Sequence, residues 1–270
     1  QSALSHHLKI LTQANLLSRR PEGTATFYRR QLPDGRHDVL RQTMLDDIDQ
    51  EPLGPDLVLG LQRVQSQREQ HSATFFREHG KQFEDHQESI ASWEDYSRAT
   101  LHLLDRAGDF SGQKILEVGP GDGRLLPALS QRGAAIVALD NAGEMLDAAK
   151  KNAGASSNVH FCLGTPASLT DHSNAFSAAV VNMVLHHVPD PETLIAEVAQ
   201  LLASGGHLII SELCPHDQAW AREHCGDLWL GFDPDALHSW AAKAGLEHNA
   251  ELVFGQRNGF QIQIQHFTRH

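Results

Sequence analysis

The sequence predicts an α/β fold, an open and mostly parallel sheet with helices on its faces, preceded by a small basic unit. Three observations predict it. Lys114-Ile-Leu-Glu-Val-Gly-Pro-Gly-Asp-Gly-Arg124 reads as a short buried strand running into a glycine-rich turn, then a helix from about Arg124. The next apolar run, Ala134-Ala-Ile-Val-Ala-Leu139, ends in Asp140 at the spacing of a second parallel strand. Further apolar runs alternate with helix-like stretches to the end of the chain, the order of βαβ units.

Length and charge bound the rest. At 270 residues and 40% hydrophobic content, the chain can bury a large core and is long enough for two domains. No apolar run approaches the ~20 residues that span a bilayer, so no membrane partner is expected. No signal peptide is read, and the chain opens at Gln1 rather than Met, which leaves room for upstream residues. Cys162, Cys214 and Cys225 are odd in number and lack C-x-x-C spacing, so they read as reduced thiols of a cytoplasmic protein. Residues 1–41 carry seven Lys/Arg against Glu22, Asp34 and Asp38, a net of +4. The remainder has 15 basic and 31 acidic residues, a net of −16. A basic end on an acidic body implies that the end meets an anion. Most of the eighteen histidines read as solvated surface; no pair stands at metal-ligand spacing beside a Cys or an acid, so no metal is expected.

In chain order, Ala3, Leu4, Leu8 and Leu11 recur at helical spacing, with Gln1, Ser2, Ser5, His6 and Lys9 on the other side and Asn15 closing the helix. Leu16 to Arg30 reads as a hairpin turning at Pro21-Glu-Gly23, with Arg19, Arg20, Arg29 and Arg30 on its arms. A polar-faced helix followed by a basic hairpin has the order of a recognition helix and wing. Ser5, His7, Leu8, Lys9, Leu11, Leu17, Arg20 and Gly23 resemble the ArsR family of bacterial winged-helix repressors. The resemblance implies part of a winged helix-turn-helix over 1–36. It also implies double-stranded DNA as partner, contacted by Gln1, Ser2, Ser5, His6, Lys9, Arg19 and Arg20, and a homodimer. It covers only the second half of such a domain, so metal sensing is not inferred. An amphipathic helix and hairpin used for dimer packing is the alternative.

Residues 37–74 read as a helical linker that contributes to a dimer. It has apolar-periodic stretches from Val39 to Ile48 and from Leu57 to Val64, around a turn at Pro52-Leu-Gly-Pro55. Phe75 to Glu84 forms an aromatic-rich segment, either a helix closing over a ligand or a plain amphipathic linker. Trp93 to Leu104 is the helix leading into the sheet.

Gly119, Gly121 and Gly123 let the backbone turn tightly beside a ligand. Glu117 lies inside the strand, where a carboxylate is costly unless it meets a cation or donors. Strand, E-x-G-x-G-x-G, helix, strand, Asp resembles the class I S-adenosylmethionine (SAM)-dependent methyltransferases. The resemblance runs over 75–270 and implies a Rossmann-like seven-stranded sheet with its last strand antiparallel. It implies SAM or S-adenosylhomocysteine as ligand, with Glu117 at the methionine end and Asp140 at the ribose. Gly119, Gly121, Asp122, Gly123, Asn141, Met145, Thr165, Pro166, Ala167, Asn182 and Met183 complete the implied cofactor set. The alternative is a nicotinamide-binding fold, which seldom has an acid just ahead of the first glycine.

Met145 to Lys151 reads as a helix and Asn158 to Gly164 as the third strand. Thr165 and Pro166 stand where the family places an acid against the adenine, and Ser177 replaces an Asp at the start of the fourth strand. Asn182 and Met183 end that strand facing the cleft. Pro189-Asp-Pro191 starts a helix through Leu202 that ends at Gly205-Gly206, and His207 to Glu212 is the fifth strand. Residues 213–233 read as a lid. Phe232 to Trp240 restarts a helix, and Glu251–Phe254 and Phe260–Phe267 pair antiparallel around Asn258-Gly259.

A sulfonium methyl is already activated, so the protein needs chiefly to align a nucleophile and exclude water. His186 and His187 are the nearest candidate bases, with packing at the strand exit as their alternative role. An arsenite acceptor lacks its thiols, since Met183 stands where such enzymes have Cys. RNA is disfavoured by the acidic body. Two readings remain: a DNA-binding regulator carrying a methyltransferase for a small-molecule acceptor, or a repressor that only senses SAM or S-adenosylhomocysteine.

Overall fold

The structure, a computed structural model, describes residues 2–22, 25–31, 38–154 and 156–270, which fall into two compact units, 1–59 and 60–270. In the first, α1 (Ser2–Gln13) ends where Asn15 turns left-handed at φ 55°, and Leu16 N–H donates to the Leu11 carbonyl at 2.9 Å. Strands β1 (Leu17–Glu22) and β2 (Ala25–Arg30) pair antiparallel, Leu17 opposite Arg30 through Glu22 opposite Ala25. Gln1 and the turn at 23–24 lie outside the described residues, as do 32–37. The Arg30 guanidinium grips Asp49 at the end of α2 (Asp38–Asp49) through two contacts of 2.7 Å. Among the described residues of this unit, no side chain is buried. Leu4, Ile10, Leu11, Val39, Leu40, Met44 and Ile48 are exposed, so the expected apolar face of α1 covers no core here.

The sequence places a linker stretch at Leu57–Val64 and a separate aromatic segment at Phe75–Glu84. Both lie in one helix, α3 (Pro55–Ile90), because no proline interrupts the chain between Pro55 and Pro120 and an isolated glycine bends but does not end a helix. The boundary between the units falls inside it.

The second unit holds the sheet. After α4 (Trp93–Ala107) come β3 (Lys114–Val118), α5 (Leu126–Ser130), β4 (Ala135–Asp140), α6 (Gly143–Asn152) and β5 (Val159–Leu163). Then follow β6 (Phe176–Asn182), α7 (Pro191–Leu201), β7 (Leu202–Leu213), α8 (Trp220–His224), α9 (Pro234–Lys243), β8 (Leu246–Gly255) and β9 (Gln261–Arg269). The order is β5-β4-β3-β6-β7-β9-β8. β3 to β7 run parallel to one another, while β9 runs antiparallel to both β7 and β8. The last strand alone is reversed, as the sequence predicts.

Alternation along β3 sorts the two cores. Ile115 packs with Leu104 and Leu126 on one face, and Leu116 and Val118 with Ile195 and Phe267 on the other. Chain order reverses between β3 and β6, and the crevice beyond the carboxyl ends of a parallel sheet at such a switch point is where ligands bind.

Two element boundaries differ from the sequence reading. The helix after the glycine turn has five residues rather than a run from Arg124, since Asp122 accepts the Arg124 N–H at 3.2 Å and holds that stretch in turns. A helix this short has little dipole to aim at a ligand. β7 starts at Leu202 and includes Gly205-Gly206, which therefore do not cap α7. The Gly206 position has the Ala203 and Phe176 carbonyls within 3.0 Å of any added Cβ, a backbone approach that only glycine allows.

Candidate functional site

A cleft opens at the switch point, lined from β3 by Glu117 and Val118, from the turn by Gly119 to Asp122, and by Asp140 at the end of β4 with Asn141 after it. Met145 on α6, Thr165 and Pro166 after β5, Asn182 and Met183 at the end of β6, and His187 also line it. Gly119 sits at φ 65°, and a Cβ there would come within 2.6 Å of Val184. Gly119 N–H donates to the Leu139 carbonyl at 2.8 Å, which fixes the turn against β4.

Of the cleft's acids Glu117 is buried, while Asp122 and Asp140 are half-buried. Glu117 is 2% exposed, and its Oε2 has no hydrogen-bond partner among the described residues. Burial, with Asp122 adding repulsion, pushes its carboxyl up to about 8. Such an orphaned oxygen awaits a donor. Burial raises Asp140 to about 6, against the pull of the Ala142 and Asn141 N–H groups, and Ala142 N–H reaches Oδ1 at 2.8 Å. Asp122 is taken up by Arg124, whose guanidinium also meets Glu88 at 2.9 Å and lies 5.5 Å over the Trp93 ring. Trp93, Tyr96 and Arg124, which sequence reasoning missed, close this side of the cleft. Only the amphipathic spacing of Trp93 and Tyr96 hinted at them.

At the exit of β6 the backbone is held in a sparse conformation. Met183 is left-handed at φ 57°, and its N–H donates to Ser211 O at 2.8 Å. Asn182 lies 3.4 Å from the Thr100 hydroxyl, which in turn meets Ser211 Oγ at 2.5 Å. His186 and His187 diverge. His187 lines the cleft, whereas His186 is not among the lining residues and is 2% exposed beneath it. His186 Nδ1 donates to Glu212 Oε1 at 2.6 Å, and Glu212 Oε2 accepts the His186 N–H at 3.2 Å. Asp227 comes from the 213–233 segment, where Leu228 and Trp229 N–H groups donate to the His186 carbonyl at 2.8 and 3.1 Å. Burial lowers His186, but Glu212 and Asp227 outweigh it and raise it to about 9. Burial and the neighbouring His186 lower His187.

Four expectations shift. Gly123 does not line the cleft; it packs under α6, where a Cβ would stand 2.7 Å from Ala149 Cα. Ala167 lies on a 3-10 turn (Pro166–His172) outside the lining. No metal-ligating set was expected, yet folding brings ligand atoms of His186, His187 and Asp227 within 4.8 Å of one another. Phe75 is buried under Gly226 rather than at the cleft. Of the DNA-directed residues, Ser5, His6, Lys9 and Arg19 are exposed in the first unit; Gln1 and the side chains of Ser2 and Arg20 lie outside the described residues.

Residues 116–210 match the family described as methyltransferase domain. The matched segment runs from β3 into β7 and so takes in the strands that carry Glu117, Asp140 and Asn182. Over 121 residues it is 31% identical to a ubiquinone biosynthesis O-methyltransferase of Cronobacter sakazakii, a match covering 44% of this chain and 50% of that protein. The chain thus spans about half the length of the curated relatives it matches. Its fold is similar to that of N-methyltransferase NodS from Bradyrhizobium japonicum WM9 in complex with S-adenosylhomocysteine (TM-score 0.55, 19% identity, 66% of this chain, 87% of that one). It is also similar to the [4+2]-cyclase SpnF (TM-score 0.55, 18% identity, 64% and 80%). That a cyclase shares the fold makes the reaction a matter for the site. The cleft residues fit SAM: the orphaned Glu117 oxygen suits a cationic amino group, and the Asp140 carboxylate suits paired hydroxyls. No helix of the described residues is long and apolar enough to cross a membrane.

Proposed function

We propose that the chain transfers a methyl group from SAM to a small-molecule acceptor. The observation that carries this is the pair of carboxylates, Glu117 buried and Asp140 half-buried, at the ends of adjacent parallel strands in one cleft, the first with an unpartnered oxygen. Glu117 takes the methionine end and Asp140 the ribose, while Gly119 and Gly121 let the backbone approach between them. Met145, Thr165 and Pro166 flank the adenine side, with Asn182 and Met183 below the sulfonium. Methyl transfer forms a bond to the acceptor and leaves S-adenosylhomocysteine; the chain's part is to align the acceptor and exclude water. His187 is the ionisable group on the acceptor wall. A calorimetric titration with S-adenosylhomocysteine tests binding: 1:1 binding that weakens at least tenfold in both Glu117→Gln and Asp140→Ala supports the reading, and no binding overturns it.

The first unit has a second role in this proposal: DNA contact as a dimer. Its support is the helix–hairpin order of α1, β1 and β2 with Ser5, His6, Lys9 and Arg19 all exposed, on a segment of net +4. Thr165 in place of an acid favours a weaker, sensing use of the cofactor, with SAM binding but no turnover. Trapping methylated product from pooled small-molecule acceptors separates enzyme from sensor.

A further inference from the structure

Outside the cofactor cradle, the molecule buries a cluster that methyl transfer does not require. His186, His187 and Asp227 place a ligand atom each within 4.8 Å of one another, all three buried. His186 Nε2 lies 4.0 Å from Asp227 Oδ1, and His187 Nδ1 lies 3.8 Å from the same oxygen. Neither oxygen of Asp227 has a hydrogen-bond partner among the described residues, although its side chain is wholly buried. A buried carboxylate without donors calls for an explanation, and a bound cation is one that the two neighbouring imidazoles could share. Glu212 supplies the second. It holds His186 Nδ1 at 2.6 Å, which turns the opposite ring nitrogen toward Asp227. A carboxylate behind an imidazole is the arrangement that orients a metal-bound histidine.

We propose that His186, His187 and Asp227 form a site for a divalent first-row transition ion in the wall of the cleft, with room for an oxygen ligand from the methyl acceptor. Two imidazoles and one carboxylate favour such an ion over Mg2+ or Ca2+, which prefer all-oxygen sets. Asp227 and Glu212 face the His186 imidazole, with Arg222 also acting on Asp227, so a dication would enter by displacing the His186 proton. Three protein ligands leave a position open, the pattern of reactive rather than structural sites. Because His187 lines the cleft, the open side faces the acceptor region; this part rests on the methyl-transfer reading above. A second His/His/Glu group, His238, His248 and Glu251, is more exposed and lies on α9 and β8, so it serves as an internal control.

The test is calorimetric titration of metal-free protein with Zn2+, with Co2+ absorption spectra and S-adenosylhomocysteine binding measured on the same samples. Wild type should bind one Zn2+ tightly. Asp227→Asn and His187→Gln should each weaken it at least ~100-fold, and Glu212→Gln by about 10–100-fold, as for lost orienting partners. His248→Gln should leave the tight site unchanged. The Co2+ form should show d–d bands without a thiolate charge-transfer band, a readout that needs no variant to fold. Absence of tight Zn2+ binding to wild type, or its loss in His248→Gln with Asp227→Asn unaffected, overturns the proposal. S-adenosylhomocysteine binding distinguishes the failures: if it persists without Zn2+, the site is wrong and the methyltransferase reading stands.

Discussion

If Glu117 holds the cationic amino group of the cofactor, binding must be paid for by a proton. In the free protein burial raises this carboxyl to about 8, so at pH 6, two units lower, about one molecule in 100 carries the charge, against half at pH 8. Affinity that needs both this carboxylate and a charged ligand amino group, itself titrating at ~8, therefore rises about 25-fold from pH 6 to pH 8, equivalent to about 1.9 kcal/mol. Asp140, raised to about 6, adds at most about a further factor of two over the same range. Above pH 8 the ligand's own amino group loses its charge, since α-amino groups titrate near ~8, and affinity falls again. Glu117→Gln should cost about 1.5–3 kcal/mol at pH 8, the loss of a hydrogen bond to a charge, and should abolish the steep limb, leaving the shallow Asp140 contribution. Calorimetry with S-adenosylhomocysteine at pH 6, 7 and 8, in buffers of different ionisation heat, reads both affinity and proton release. 5′-Methylthioadenosine, which lacks the amino-acid end, should show only the shallow dependence. A flat profile for wild type, or an equal slope in Glu117→Gln, refutes the placement. The sign also reaches stability: the folded state holds a proton that the unfolded chain releases from about 4.5 upward, so this group destabilises the ligand-free protein progressively as pH rises from there to about 8.

Three further outcomes follow from particular residues. Asp140→Ala should weaken cofactor binding tenfold or more, about 1–3 kcal/mol for two ribose hydrogen bonds, and calorimetry at pH 8 checks it. Gly123→Ala should lose more stability in urea than Gly121→Ala, although both sit at positive φ, because only Gly123 has backbone atoms of Ala149 within 2.7 Å of the added Cβ; strain alone is about 1–2 kcal/mol, and equal losses would refute the packing role. Replacing Arg19 and Arg20 with Ala should lower affinity for duplex DNA of any sequence and flatten its salt dependence, measured by anisotropy across salt concentrations, whereas an unchanged slope would leave the hairpin without phosphate contacts.

The sequence by itself determined the order of strands and helices, the glycine turn and the two acids that meet in the cleft. These are local signals: alternation along a strand, glycine where φ must be positive, and an acid at a strand end. The first unit's helix and hairpin were legible for the same reason. Segment continuity was less so. Leu57–Val64 and Phe75–Glu84 read as separate pieces because their periodic stretches are interrupted, yet backbone hydrogen bonding carries one helix through both. Conversely, the short α5 was overextended because the Asp122 side chain competes for the first helical N–H, an event that composition does not display. Tertiary structure alone decided the histidine cluster. His186 and His187 looked equivalent in sequence, but the tight turn after β6 sends one toward the cleft and the other beneath it. Their partners lie far along the chain, Glu212 on β7 at 26 residues' separation and Asp227 in the loop beyond α8. No spacing rule records that meeting, because parallel pairing of β6 with β7 brings the first together and a loop bonded to the His186 carbonyl brings the second.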